Sequence, residues 1–151
     1  MSRGQRVEAT GAVPPRARRL RRLLRGISLF APPLLDLALI FHLSSQSRPL
    51  PFIPDRFFTY DKVLHALEYA VLGALLARAA VGAGAGSRWS VILAAAAGSG
   101  YGATDEWHQS FVPGRSCDPF DWMADTAGAL VGALFTVLLL RTRKAQASIE
   151  R

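Results

Sequence analysis

Between two runs apolar enough to cross a bilayer, the stretch Thr104 to Gly128 gathers Asp105, Glu106, His108, Gln109, Arg115, Asp118, Asp121 and Asp125 within 21 residues. Ionisable groups beside hydrocarbon need mutual pairing, water or a ligand, so this stretch constrains the fold more than any other. The simplest reading is a polar loop joining two membrane helices. Two features argue for more than a loop. The cluster continues into the helical entry of the following span, and a second polar group, near Asp61, converges on the same membrane face.

A chain of 151 residues allows one domain. Half of its residues are hydrophobic and come in blocks, the pattern of an integral membrane protein. The net charge of +7 raises nucleic acid as a partner. No nucleic-acid motif accompanies the arginines, which instead flank apolar spans, so none is expected. A single cysteine, Cys117, excludes an internal disulfide and any CxxC zinc site.

The sequence divides into a basic tail (1–25), a membrane domain of four helical spans (26–140) and a second basic tail (141–151). The first tail, with Pro14-Pro15 and the run RARRLRRLLR, is expected to be unstructured. The first span runs from about Leu23 to Leu43 and lacks an A-x-A cleavage site, so it reads as a retained helix. Pro32-Pro33 should kink it or break its first turns, and Asp36 is expected to face that break. Ser44 to Tyr60, rich in proline and carrying Phe52, Phe57, Phe58 and Tyr60, suits a segment at headgroup level.

The second span, Asp61 to about Ala83, places Asp61, His65, Tyr69, Gly73 and Ala77 four residues apart on one stripe, with Glu68 beside His65. In the third span, Trp89 to about Thr104, Ala94, Gly98 and Gly102 form a small-residue face. The fourth, Trp122 to Leu140, repeats the device with Ala124, Gly128 and Gly132, and Asp121 and Asp125 continue that face upward.

Fourteen of the 18 basic residues lie in the two tails and the Gly82 loop, against Arg48, Arg56, Lys62 and Arg115 on the other face. The positive-inside rule then places both termini in the cytoplasm, in a multi-pass protein of the inner (cytoplasmic) membrane. His42, His65 and His108 gather at the outer face with nearly all the acids.

Three chemistries compete for that face. Arg115 and Lys62 could clamp an anion such as phosphate. Asp105, His108, Asp121 or Asp125, with His65, could bind a divalent cation, although no HExxH-like spacing supports it. Or the charges could only neutralise each other and lock the helix tops. Candidate acid/base residues are His65, Asp105, Glu106 and His108. A nucleophile is hard to place: Ser110 is two residues from His108 and outside any nucleophile elbow, and Cys117 has no evident activating base.

The strings SSQ (Ser44 to Gln46), DKxxHxxxY (Asp61, Lys62, His65, Tyr69), DExHQxFxPGR (Asp105 to Arg115) and DxxADxxG (Asp121 to Gly128) resemble the VanZ-like family over about Leu34 to Leu140. The resemblance implies a small bacterial multi-pass protein of the cell envelope and a link to glycopeptide antibiotic susceptibility. The family pattern has Asn where this chain has Asp125, so the site here carries an added negative charge. The arginine-rich tail falls outside the pattern.

The combined expectation is an all-α integral membrane bundle with a polar cluster at its outer face. Its ligand-binding set is Asp61, Lys62, His65, Tyr69, Asp105, Glu106, His108, Gln109, Arg115, Asp121 and Asp125. Membrane lipids and a cell-wall precursor or lipid-linked ligand are the expected partners, without metal or cofactor. The runner-up is a membrane-embedded enzyme acting on a lipid-linked phosphate.

Overall fold

The computed structural model describes residues 14–47 and 61–151; of the interfacial segment expected over Ser44 to Tyr60, residues 48–60, with all its aromatics, lie outside them. Four helices account for almost all of the described chain: α1 (Pro15–Ser44), α2 (Asp61–Gly82), α3 (Ser87–Gln109) and α4 (Pro119–Ile149). Three of them, α1, α2 and α4, are long and apolar enough to cross a membrane. The third is of similar length but more polar, since it carries Ser90, Ser99, Thr104, Asp105 and Glu106. The expected all-α architecture is therefore present, with the apolar character of a span in three of its four helices.

Three of the helices, α1, α3 and α4, extend beyond the expected spans, while α2 matches its own to within a residue. Residues 15–25, expected to be an unstructured tail, form the first turns of α1, with Pro15 at the helix start, where its missing N–H costs nothing. The arginines and leucines that follow are good helix formers. The same propensity carries α4 through Arg141, Arg143, Lys144, Ala145 and Gln146 into the expected C-terminal tail.

Pro32 and Pro33 do not break α1, which is continuous through both. A proline removes the N–H that would bond the carbonyl four residues earlier, and for Pro32 that carbonyl belongs to Ser28. The Arg78 guanidinium, reaching over from α2, donates to the Ser28 carbonyl at 2.9 Å. An arginine on a neighbouring helix thus satisfies the acceptor that proline frees. Arg25 returns the contact by donating to the Gly82 carbonyl at the end of α2 (2.8 Å).

The bundle is organised around α2, which touches each of the other helices and makes its most extensive interface with α4; α1 has no interface with α4 among the described residues. The α2 stripe packs as its spacing predicts: His65, Tyr69, Gly73 and Ala77 are buried. Opposite it, a Cβ on Gly128 would fall on the Ala66 carbonyl and one on Gly132 on the Ala70 carbonyl. Gly73 is closed in the same way by the Ala129 carbonyl. The α2 and α4 backbones therefore meet directly, which small residues permit between membrane helices. Gly98 of α3 lies against Ala129, and Gly102 against Asp125.

Two apolar clusters fill the interior, one of Ile40, Tyr69, Leu72 and Ala129 and one of Ala77, Ala94, Ala133 and Val137. Leu34, Leu35, Leu67, Val71, Val131 and Phe135 point outward instead, as side chains meant for lipid do.

Candidate ligand site at the acidic end of the bundle

The contacts between helices sort the two ends of the bundle. Arg25 on Gly82, Arg78 on Ser28 and Arg141 on Ser87 tie one end together with basic side chains. At the other end the C-termini of α1 and α3 meet the N-termini of α2 and α4. That end holds Asp61, Glu68, Asp105, Glu106, Asp118, Asp121 and Asp125, but only Lys62 and Arg115 as permanent cations among the described residues.

The three α-helices of the site supply their side chains in layers. Lys62, on the first turn of α2, binds Asp118 (2.8 Å) and Asp121 (2.6 Å) at the start of α4. Asp118 also caps α4, its carboxylate accepting from the Phe120 N–H, with Pro119 following as the first helical residue. The Lys62 hydrogen bond, helped by that N–H, holds the Asp118 carboxyl below its ordinary value of 3.8. A lowered carboxylate keeps its charge further into acid, so the Asp118 arm of the pairing with Lys62 persists as the pH falls to its ordinary value.

One turn deeper, His65 Nδ1 lies 2.9 Å from Asp125 Oδ1. Its Nε2 is turned toward Asp61, at a looser 3.9 Å. Glu106, on α3, accepts the Asp118 N–H through Oε2 (2.7 Å). A relay runs along the α3 side: Gln109 donates to Asp105 Oδ2 (3.0 Å), and Gln109 Oε1 accepts from both Nε and Nη2 of Arg115 (3.0 and 2.6 Å). Gly114, at a φ of 80°, makes the turn that brings Arg115 back over Gln109.

Of the expected ligand set, Asp61, Lys62, His65, Asp105, Glu106, Gln109, Arg115, Asp121 and Asp125 are brought to this end in linked contacts. Two are placed elsewhere. His108 faces α1, stacked on Phe41 (4.7 Å between ring centroids) and bonded to Ser45 Oγ (3.0 Å). It lies one residue before Gln109 on a helix, so the two side chains diverge. Tyr69 belongs to the apolar cluster one turn below His65. His42 pairs locally with Gln46.

Asp118 was not in the expected set, although an Asp-Pro pair is a helix-start signal that could have placed it at the top of α4. Ser45 was likewise missed, and only its occurrence in the SSQ string marked it. Ser110 donates its hydroxyl to the Trp107 carbonyl and Cys117 is exposed. Neither is a nucleophile paired with an imidazole.

The helical bundle, apolar along its length and with most of its described acidic residues gathered at one set of helix ends, defines a membrane protein. A family model described as VanZ/LLP1 matches residues 13–140, and the chain belongs to that family. The match takes in the whole arginine-rich start of α1, which lies outside the motif resemblance. No curated protein and no solved structure matches the chain.

Proposed function

We propose that this VanZ/LLP1 protein binds an anionic lipid-linked component of the bacterial cell envelope at the acidic end of its bundle, on the outer side of the cytoplasmic membrane. The observation that carries the reading is the state of Arg115. Lys62 is neutralised by two aspartates, whereas Arg115 is held through Nε and Nη2 by a neutral amide oxygen. Among the described residues its charge is oriented but not cancelled, the arrangement in which a guanidinium recognises phosphate. Exposed Trp107 and Phe111, packed edge to face at 5.4 Å nearby in the chain, offer an apolar surface for a lipid or sugar face.

The test is binding of a long-chain polyprenyl phosphate to the full-length protein in nanodiscs, followed by tryptophan fluorescence. Arg115→Gln is expected to weaken binding about tenfold or more, because a charge-assisted hydrogen bond contributes about 1.5–3 kcal/mol. Arg115→Lys should recover part of the loss. Equal binding by wild type and Arg115→Gln would remove the reading. Release of phosphate during the titration would favour the enzymatic alternative, for which the buried His65–Asp125 pair is the acid/base candidate.

The orientation has its own test. Cys117 is exposed in the turn between α3 and α4, and the positive-inside rule puts it outside the cell. A membrane-impermeant thiol reagent should label it in intact spheroplasts, while a Cys117→Ser/Ala83→Cys protein should label only after lysis. The reverse pattern would invert the topology.

A further inference from the structure

We propose that His65, Glu106 and Asp125 form a binding site for one divalent transition-metal ion. One donor atom from each, from three different helices, lies within 4.8 Å of the other two. The three residues are 6%, 2% and 0% exposed. Each carboxylate has one oxygen engaged and one without a partner. Glu106 Oε2 takes the Asp118 N–H and Asp125 Oδ1 faces His65 Nδ1, while Glu106 Oε1 and Asp125 Oδ2 are buried with no hydrogen bond.

A buried carboxylate oxygen left in this condition is strongly unfavourable unless a cation or proton reaches it. Of the permanent cations at this end, Lys62 is held by Asp118 and Asp121 and the Arg115 guanidinium is turned onto Gln109, so neither reaches these two oxygens. A metal ion supplies the missing positive charge.

The donor set fixes the class of ion. One imidazole nitrogen with two carboxylates suits Mn²⁺, Fe²⁺ or Zn²⁺, whereas Ca²⁺ asks for six or more oxygens. The separation of 2.9 Å between His65 Nδ1 and Asp125 Oδ1 is compatible with a shared ion. Two donors each about 2.1 Å from an ion, at a right angle, stand about 3 Å apart.

A second triad, Asp61, His65 and Asp121, shares the imidazole. It is the weaker candidate, because Asp121 already holds Lys62 at 2.6 Å and Asp61 is only half-buried. The metal site uses residues other than Arg115, so it stands or falls separately from the binding of an anion there. With both present, a bound ion would offset the acidic end and favour an anion above it.

The experiment uses full-length protein in detergent, stripped with a chelator, dialysed and titrated calorimetrically with MnCl₂ and with ZnCl₂. Metal content is measured in parallel. Every protein carries Cys117→Ser, which removes adventitious thiolate binding. One ion per chain is expected, with a rise in melting temperature on binding.

Glu106→Gln and Asp125→Asn, both isosteric, should each weaken affinity about a hundredfold or more, the upper end of what even outer-shell changes cost. Glu106→Gln keeps an oxygen for the Asp118 N–H, so it remains informative if Asp125→Asn fails to fold. Absence of stoichiometric binding at millimolar metal would overturn the proposal. So would unchanged affinity in Glu106→Gln, or a loss confined to Asp61→Asn, which would put the ion in the other triad.

Discussion

Gly132→Ala is expected to destabilise the protein by about 2–3 kcal/mol, at the upper end of what overpacking costs, although it adds one methyl group and raises helix propensity. The added Cβ would coincide with the Ala70 carbonyl of α2, a backbone atom that no rotamer change can move aside. The two helices must separate along their whole contact, and Gly73 against Ala129 and Gly128 against Ala66 lose their fit with it. Gly100→Ala is the matched control. It lies in the interior of α3 with nothing within 4 Å of its added methyl, and there alanine is favoured over glycine by about 1 kcal/mol. Reversible unfolding in detergent or bicelles should therefore give opposite signs for the same chemical change. Similar effects at both positions would show that the α2–α4 backbone contact does not hold the bundle together.

The second large effect concerns His65. In chelator-treated protein, His65→Leu should lower stability by about 3–5 kcal/mol, since it leaves the fully buried Asp125 without its partner. The double variant His65→Leu/Asp125→Leu should be more stable than His65→Leu alone, because the stranded carboxyl is gone. A double-mutant cycle on unfolding free energy measures the coupling directly. Additive losses would mean that the pair contributes nothing as a pair. The expectation also guides any phenotype experiment. Loss of function in a His65 variant reports on folding as much as on chemistry, whereas Arg115, half-buried and with its guanidinium hydrogen-bonded among the described residues to Gln109 alone, is the cleaner probe.

Much of the site was legible because helical spacing is local. Asp61 with His65, and Asp121 with Asp125, fall on common faces whatever else the chain does, and the burial of His65, Asp121 and Asp125 follows from those faces meeting. The same logic over-reached at His108. Its neighbours Asp105, Glu106 and Gln109 are buried in the site, but its own direction on α3 points to Phe41 of α1 and to Ser45 just past the end of that helix. A cluster dense in sequence is split by a helix into different faces, and only the packing of α1 against α3 shows where the odd one goes.

The sequence by itself determined the helices, their apolar faces, the contrast between a basic and an acidic end, and the family motifs. Each of these depends on residue type and on spacing within one element. What only the tertiary structure decided depends on atoms far apart in the chain. Pro32 reads as a helix breaker until Arg78 is seen on the Ser28 carbonyl, 50 residues away. Lys62 and Arg115 read as equivalent cations until Lys62 proves to be held by Asp118 and Asp121 and Arg115 by Gln109. Whether a buried carboxylate is satisfied is likewise a property of its surroundings in three dimensions. The sequence named Glu106 and Asp125 as charged, but only the packing of α2, α3 and α4 leaves an oxygen of each buried without a partner beside the same imidazole.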